Sequence, residues 1–263
     1  MVSFLDVSKL KRTEQELQAA ICARDEFLSI ASHELKTPLT TLILHLEALM
    51  RAAASRSERR LPDFVLPKVE TMRRQCGRLA QLINDLLDVS RIRAGRLELV
   101  IEEVNLGTLA REVVERFRHE ASVAGSRLEM TAEAGVVGHW DRSRLDQVVT
   151  NLVSNAVKYG GGGPIELEVS STRRGATVSV RDHGIGIAQE HQERIFQRFE
   201  RAVSSRHFRG MGLGLWIARE IVERLGGEIR VESAPGRGSR FTVSLPLRSR
   251  VPRPLVQAGS SAA

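Results

Sequence analysis

The sequence is poor in cysteine. Its 263 residues include only Cys22 and Cys76, and neither has a second Cys or a His at the spacing of a zinc site. Two isolated cysteines cannot form the framework of a disulfide-rich secreted domain, and they are typical of proteins in a reducing compartment. We therefore expect a cytoplasmic protein without a structural zinc ion.

Aromatic residues are also scarce, at 4% of the chain, although the formal net charge is +7. Stacking on nucleic-acid bases requires aromatic side chains among the basic ones, and here the arginines are spread along the chain without such a block. We expect no nucleic-acid partner. The charge alone leaves a basic DNA-binding module as one alternative.

Long apolar runs are missing as well. The most apolar helical stretch, Thr40–Met50, is interrupted by His45 and Glu47. The N-terminus does not have the pattern of a secretory leader. We therefore expect no membrane segment in this chain.

Residues 9–94 have the pattern of two long helices. The first is predicted over about Lys9–Ala54 and the second over about Phe64–Ala94, where Gly95 ends it. Apolar residues of the second helix recur at alternating steps of four and three, which is the heptad pattern of a coiled coil. They are Val65, Val69, Met72, Cys76, Leu79, Ile83 and Leu86.

Two long helices with a short link fold back as an antiparallel hairpin. One hairpin cannot bury both apolar stripes fully, whereas two copies in a four-helix bundle can. We therefore predict a homodimer through residues 9–94. A monomeric hairpin packed on a second domain is the alternative.

After Gly95 the pattern changes to short strands and helices, which predicts a second domain over residues 95–246. Strands are predicted at Leu97–Val104, Arg127–Ala132, Val136–His139, Ile165–Ser171, Thr177–Asp182, Glu228–Ser233 and Ser239–Leu245. Helices are predicted at Leu106–Ala124, Asp141–Tyr159, Ala188–Phe199 and Leu213–Leu225.

Both ends of the chain carry weaker patterns. Residues 1–8 contain the start of a stretch, FLDVSKLKRTEQEL at residues 4–17, that resembles the last strand of a PAS sensor domain and the linker helix that leaves it. A frayed N-terminus is an equally good interpretation of residues 1–8. Residues 247–263 contain prolines and end in Gly-Ser-Ser-Ala-Ala, which predicts a disordered tail.

The stretch Phe27–Leu39, FLSIASHELKTPL, places a histidine on the predicted first helix. His33 is two residues from both Ala31 and Leu35, so it points away from the apolar stripe that they share. A histidine displayed to water on a packed helix has no packing reason to be there. Taken alone, such a residue is more often inert than functional.

Two asparagines lie four residues apart on the predicted helix Asp141–Tyr159. Asn151 and Asn155 therefore share one face, and Lys158 and Tyr159 follow one turn later. Amide oxygens are hard ligands that suit Mg²⁺, and a lysine in the next turn can meet a phosphate. Capping or solvent exposure is the alternative, although asparagine is a poor helix former.

An aspartate closes the apolar face of the strand VSVRD. Asp182 shares that face with Val178 and Val180, where a carboxylate is costly unless a donor such as an exocyclic amine pairs with it. Gly184 and Gly186 then allow the backbone to approach a ligand closely. Standing alone, the Asp-His-Gly sequence would be interpreted first as a plain turn.

A second glycine-rich segment, RGMGLGLW, precedes the last predicted helix. Gly210, Gly212 and Gly214 lead to a helix N-terminus, whose free N–H groups favour phosphate. The spacing is not the dinucleotide-binding fingerprint, because no strand precedes it and no βαβ unit surrounds it.

Taken in order, these segments and the intervening IFQRF resemble sensor histidine kinases of two-component systems. The resemblance covers roughly residues 9–246 and rests on five ordered motifs. It implies an α+β chain: an antiparallel helical hairpin that forms a dimeric four-helix bundle, followed by an ATP-binding α/β sandwich with a mixed sheet and helices on one face.

The resemblance also implies a role for individual residues. His33 is the phospho-acceptor, Glu34 is its base, and Thr37 matches the position that orients a hydrolytic water. Asn155 is the Mg²⁺ ligand, and Asn151 supports it. The remaining ATP-binding residues are Lys158 and Arg201 at the phosphates, Tyr159 near the nucleotide, Asp182 at the adenine amine, Gly184, Gly186 and Ile187 in the first glycine loop, Phe196 and Phe199 as anchors of a lid over residues 188–210, and Gly210, Gly212, Leu213 and Gly214 in the second loop.

The implied reaction is transfer of the ATP γ-phosphoryl group to His33 and then to an aspartate of a response regulator. Thr37 allows phosphatase activity in addition. An ATPase of the same nucleotide-binding superfamily, acting as a conformational clamp, is an alternative, but such clamps need neither the His33 stretch nor the heptads.

Overall fold

A computed structural model describes residues 31, 35–51, 65–172, 175–200 and 211–248 of the chain. The chain divides into two units, Met1–Ser90 and Arg91–Ala263. No helix among the described residues combines the length and the apolar character needed to cross a membrane. Of the predicted disordered tail, residues 247 and 248 are described, and the Leu247 carbonyl accepts the His139 N–H at 2.8 Å. Residues 249–263, the start of the first helix and the possible sensor remnant lie outside the described residues.

The first unit is a helical hairpin, as predicted. Helix α1 includes residues 31 and 35–51 and continues through Pro38, which is buried. Helix α2 spans Val65–Arg93, within one residue of the predicted Phe64–Ala94 at each end. Gly95 follows with a positive φ of 67°, a conformation that glycine adopts without strain, so its role as the helix stop is confirmed.

The hairpin leaves much of its apolar surface exposed in the single chain. On α2, Val69 and Ile83 of the heptad stripe are 47% and 49% exposed, whereas Leu82 and Val89 beside that stripe are buried. Further exposed large apolar side chains in the described part of this unit are Leu39, Ile43, Leu44, Leu46, Met50 and Leu87. Within one chain, therefore, the heptad stripe is only partly covered.

The described residues of the second unit form four further helices and seven strands. The strands are β1 (Glu102–Asn105), β2 (Leu128–Ala132), β3 (Val137–Trp140), β4 (Ile165–Thr172), β5 (Gly175–Asp182), β6 (Glu228–Ser233) and β7 (Ser239–Leu245). The helices are α3 (Leu106–Val123), α4 (Arg142–Tyr159), the short α5 (Gln189–Gln192) and α6 (Gly214–Arg224). A single 3₁₀ turn spans Arg194–Phe196.

Five strands form one mixed sheet in the order β2-β4-β5-β7-β6, in which only β2 and β4 are parallel. Strands β1 and β3 form a separate antiparallel ribbon. Alternate residues such as Val169, Val178 and Val243 lie side by side in register and are fully buried, because α3, α4 and α6 pack on their face of the sheet. The predicted sandwich is confirmed.

The predicted strand Leu97–Val104 was wrong in its first half, since β1 begins only at Glu102. The preceding backbone bonds to side chains instead of a strand partner. The Val100 N–H donates to Oδ2 of Asp141 at 2.9 Å, and Arg224 donates to the Leu97 carbonyl at 3.4 Å. Asp141 also accepts the Arg144 N–H at 2.9 Å, which confirms it as the N-cap of α4.

The predicted helix Ala188–Phe199 was also wrong as a continuous element. Helix α5 stops at Gln192, and a tight 3₁₀ turn follows that buries the consecutive residues Ile195 and Phe196. Phe199 has a φ of +64°, which no helical residue adopts, so the chain must turn there.

Candidate functional site

Helix α4 carries the two predicted asparagines, and the structure separates their roles. Leu145, Val148 and Leu152 bury one stripe of the helix against the core, while Asn151 and Asn155 are half-buried beside it. Nδ2 of Asn151 donates to the carbonyl of Gly214 at 3.1 Å. Asn151 therefore ties α4 to the first residue of α6.

Asn155 lies one turn further along the same side of α4. Among the described residues, none forms a hydrogen bond with its amide. A half-buried amide without such a bond in the described structure keeps its oxygen available for a ligand. The chemistry of this oxygen suits Mg²⁺, and the described residues contain no cluster of three His, Cys, Asp or Glu side chains that would offer an alternative metal centre.

The second glycine-rich segment lies directly against this helix. A Cβ on Gly214 would stand 3.2 Å from Oδ1 of Asn151, and a Cβ on Gly212 would stand 2.7 Å from the carbonyl of Glu200. Gly212 has a φ of +68°, and its carbonyl accepts the Phe199 N–H at 3.2 Å. Leu213 between the two glycines is buried. The glycines therefore allow the start of α6 to approach Asn151 closely.

Asp182 ends strand β5 and is 5% exposed. Its Oδ1 accepts the Gly184 N–H at 2.9 Å. Burial raises the pKa of the Asp182 carboxyl above its ordinary value, while backbone N–H groups of Gly184 and Ser239 and the nearby His183 act in the opposite direction. A carboxylate in this environment gains from any further hydrogen-bond donor that reaches it.

The first glycine loop brings Asp182 to the end of α4. A Cβ on Gly184 would overlap the carbonyl of Tyr159, and the Ile185 N–H donates to that same carbonyl at 3.3 Å. On its other side, a Cβ on Gly186 would overlap the carbonyl of Ala234. The loop is thus confined between the last turn of α4 and the β6–β7 hairpin, which explains why both positions are glycine.

Other predicted residues surround this region. Lys158 and Tyr159 are half-buried on the last turn of α4, and Nζ of Lys158 lies 4.8 Å from the centre of the Tyr159 ring. Phe196 is buried and meets Phe241 of β7 edge to face, with ring centres 6.3 Å apart. Phe196 therefore attaches its segment to the sheet. Ile187 is half-buried at the end of the first glycine loop.

Four predicted site residues, His33, Glu34, Arg201 and Gly210, lie outside the described residues. Thr37 is half-buried on α1, and its carbonyl accepts the Thr41 hydroxyl at 3.1 Å. These five positions stay predictions from the sequence.

Sequence reasoning missed two residues that hold the first glycine loop. Ser233 and Gln192 bond to the N–H and the carbonyl of Ile187, at 2.8 and 3.1 Å. The sequence predicted the strands on either side of the β6–β7 turn, but no function for the turn itself. The available signal was a serine on each side of that turn, Ser233 and Ser239, in a segment otherwise rich in Pro and Gly.

The arrangement has a clear chemical capacity. A hard amide oxygen on α4, the N-terminus of α6 and a buried carboxylate lie beside the two glycine-containing segments that pack on α4. The helix terminus and the amide oxygen suit an anion with its cation, and the carboxylate suits a donor such as an amine.

Two protein families match the chain. Residues 23–95 match the His Kinase A (phospho-acceptor) domain, and residues 140–249 match the histidine kinase-, DNA gyrase B- and HSP90-like ATPase. The two matches cover separate parts of the chain, and residues 96–139 lie between them.

Individual proteins extend these matches. The chain is 38% identical to the sensor histidine kinase RppB of Synechocystis sp. over 86% of its length, and 34% identical to the circadian input-output histidine kinase CikA of Synechococcus elongatus over 94%. It spans 50% of RppB and 34% of CikA. In structure it is similar to the catalytic domain of histidine kinase ThkA, with a TM-score of 0.51 and 30% identity over 57% of this chain and 99% of that one.

Proposed function

The chain belongs to the family of sensor histidine kinases, and from this premise we propose that it transfers the γ-phosphoryl group of ATP to His33. The observation that carries the proposal is the convergence of Asn155, the buried Asp182 and two glycine loops at one place in the second unit. A site of this kind supports nucleotide binding, and the phospho-acceptor family match supplies the receiving group.

In the proposed site, Asp182 accepts a hydrogen bond from the adenine amine. The loop Gly184–Ile187 follows the base, and the backbone of Gly210–Gly214 together with the N-terminus of α6 faces the phosphates. Lys158 and Arg201 offset phosphate charge, and Tyr159 lies near the nucleotide. Phe196 and Phe199 attach the lid segment to the sheet. These assignments are supported by the placement of the described residues around one loop and one helix end.

The proposed reaction is a direct phosphoryl transfer. A nitrogen of neutral His33 attacks the γ-phosphorus, the bond to the bridging oxygen breaks, and ADP leaves. Glu34 accepts the hydrogen bond of the other ring nitrogen and takes its proton as positive charge develops. Catalysis is then mostly positioning and charge neutralisation, which agrees with a nucleotide site built from backbone and amides.

Incubation of the full chain with [γ-³²P]ATP tests this function. We expect label on the protein that is lost in acid and stable in base, because phosphohistidine is acid-labile whereas phosphoserine is not. Release of inorganic phosphate without any protein label would instead favour an ATPase that works as a conformational clamp.

We propose that the oxygen of Asn155 would hold Mg²⁺, which would offset the negative charge of the ATP phosphates. We expect Asn155→Ala to weaken Mg²⁺-dependent ATP binding by roughly tenfold or more, since an interaction with a charged group contributes about 1.5–3 kcal/mol. Asn155→Asp keeps an oxygen ligand and should retain Mg²⁺ dependence. Calorimetric titration with ATP, with and without Mg²⁺, measures the ATP affinity of both variants. Equal Mg²⁺-dependent affinity in Asn155→Ala and the unaltered chain would remove Asn155 from the metal site.

Assembly is proposed to occur between two copies of the hairpin. Exposed Val69 and Ile83 on α2, together with the exposed apolar residues of α1, favour burial against a second chain of the same kind. Full burial of one such side chain is worth about 1.5–3 kcal/mol, and a symmetric bundle gains it twice.

We expect Ile83→Glu to convert the dimer into a monomer, because it places a charge in the proposed bundle while the residue is half exposed in the single chain. Asn84→Glu adds the same charge at the next, exposed position and should stay dimeric. Light scattering after size-exclusion chromatography at micromolar concentration distinguishes the two. A monomeric unaltered chain would contradict the bundle.

The phosphoryl group is proposed to pass from His33 to an aspartate on the receiver domain of a response regulator. Thr37 lies on α1 one turn after His33 in the sequence, where it could orient a water for the reverse, phosphatase reaction. We place this chemistry in the cytoplasm, in keeping with two isolated cysteines and with ATP as the phosphoryl donor.

A further inference from the structure

The loop that follows Asp182 is held along one side by the β6–β7 hairpin. The Gly238 N–H donates to the Gly184 carbonyl at 3.1 Å, and the Gly236 N–H donates to the Ile185 carbonyl at 2.8 Å. Gly186 approaches the backbone of Ala234 so closely that a Cβ there would overlap it. The hairpin is therefore the support on which the loop lies.

Ser233, the last residue of β6, uses the whole hydrogen-bonding capacity of its hydroxyl at this junction. Its Oγ accepts the Ile187 N–H at 2.8 Å, donates to the Gly238 carbonyl at 2.7 Å and lies 3.0 Å from the Ser239 hydroxyl. A serine hydroxyl has one hydrogen and two lone pairs. Since its hydrogen goes to Gly238, the Ser239 hydroxyl must be the donor in the third bond.

Gln192, the last residue of α5, holds the other side of Ile187. Its Nε2 donates to the Ile187 carbonyl at 3.1 Å and to the Ser233 carbonyl at 2.7 Å. A side-chain amide has two N–H donors, and both are used here. The N–H and the carbonyl of Ile187 are thus both hydrogen-bonded to side chains, and not to the backbone of a helix or a strand.

We propose that Ser233 and Gln192 are positioning residues that set the affinity of the site for adenine by fixing the path of Gly184–Ile187. This inference rests on the proposed nucleotide function, because the loop matters for binding only if a base lies beside Asp182. The physical reason is that glycines at 184 and 186 leave this backbone intrinsically flexible. The hydrogen bonds of Ser233 and Gln192 to Ile187 confine the loop backbone before a ligand binds, and this lowers the entropic cost of binding.

The test compares Ser233→Ala with Ser233→Thr in the full chain. Ser233→Ala removes the acceptor of the Ile187 N–H, so amide hydrogen exchange in residues 184–187 should become faster without nucleotide. ATP binding should weaken by roughly 5- to 30-fold, the range expected for one lost hydrogen bond that leaves partners unpaired. Ser233→Thr keeps the hydroxyl, so its amide exchange rate in residues 184–187 and its ATP affinity should match those of the unaltered chain. Gln192→Met, which keeps the length of the side chain but not its donors, should resemble Ser233→Ala.

Ser170→Ala is the matched control. The Ser170 hydroxyl lies 2.7 Å from the Thr177 hydroxyl across β4 and β5, toward the end of β5 opposite to Asp182. Its loss should affect thermal unfolding without changing ATP affinity or exchange at 184–187.

The outcomes separate this inference from the proposed function. If the amide hydrogens of residues 184–187 exchange as slowly in Ser233→Ala as in the unaltered chain, the positioning role is wrong, whether or not the protein binds ATP. If loop exchange rises but ATP affinity is unchanged in a chain that does bind ATP, Ser233 is merely structural and the inference is likewise overturned. An unaltered chain that does not bind ATP would overturn the nucleotide function itself and, with it, the role in adenine affinity.

Discussion

Replacement of His33 by glutamine is expected to abolish acid-labile labelling by [γ-³²P]ATP. Glutamine has a side chain of comparable size and can hydrogen-bond, but its amide nitrogen is not a nucleophile because its lone pair is delocalised. A covalent intermediate therefore has no acceptor at this position. Autoradiography after electrophoresis at neutral and acidic pH measures the loss, while calorimetry on the same variant should find ATP binding unchanged.

His45→Gln is the matched control for this prediction. His45 lies on α1, follows His33 by twelve residues in the sequence and is half-buried. Its variant should label like the unaltered chain. Undiminished acid-labile label on His33→Gln, or loss of label in both variants, would show that His33 is not the specific acceptor.

Asp182→Asn is expected to weaken ATP binding by roughly 100-fold. The carboxylate can accept the adenine amine while it also accepts the Gly184 N–H at 2.9 Å. Asparagine keeps one acceptor oxygen but places an NH₂ donor where the second oxygen was, so two donors would face each other in a buried site. Each buried group left unpaired costs about 1–3 kcal/mol. Titration with ATP and GTP should also reveal a smaller preference for adenine.

Stability separates this effect from misfolding. Burial raises the pKa of Asp182, so its folded-state value lies above the unfolded one. A carboxyl group with a raised pKa contributes stability only in its protonated form, and that contribution is lost as pH rises through the folded-state pKa. At neutral pH the charged carboxylate is therefore less favourable to folding than its protonated form, and thermal unfolding of Asp182→Asn without nucleotide measures how far the substitution itself changes stability.

The same pKa direction predicts weaker ATP binding in acid. As pH falls, Asp182 becomes protonated at a higher pH than an ordinary aspartate, and a protonated carboxyl loses acceptor capacity for the amine.

Asp146→Asn is the control for Asp182→Asn. Asp146 pairs with Arg116 at 2.7 Å on an accessible surface of α4, and such exposed ion pairs contribute little to stability. Normal ATP affinity in Asp182→Asn would mean that this carboxylate does not bind adenine.

The sequence alone was enough for features that depend on local periodicity. The bounds of α2 followed from heptad spacing and from Gly95, and α4 followed from its apolar stripe and the cap at Asp141. The shared side of Asn151 and Asn155 follows from 3.6 residues per turn. The placement of Asp182 at the end of a strand follows from the period of two along β5. These features need only residues within one element.

Tertiary structure decided which of these elements meet. Asn151 bonds to Gly214, 63 residues away, and Ile187 bonds to Ser233, 46 residues away, so neither partner can be inferred from spacing. The start of β1 was mispredicted for the same reason: the N–H of Val100 pairs with Asp141, 41 residues later in the chain. Periodicity reports which face of an element is apolar, whereas a hydrogen bond between distant segments depends on how those faces pack. The functional roles of Ser233 and Gln192 could therefore emerge only once the first glycine loop and the β6–β7 hairpin were seen side by side.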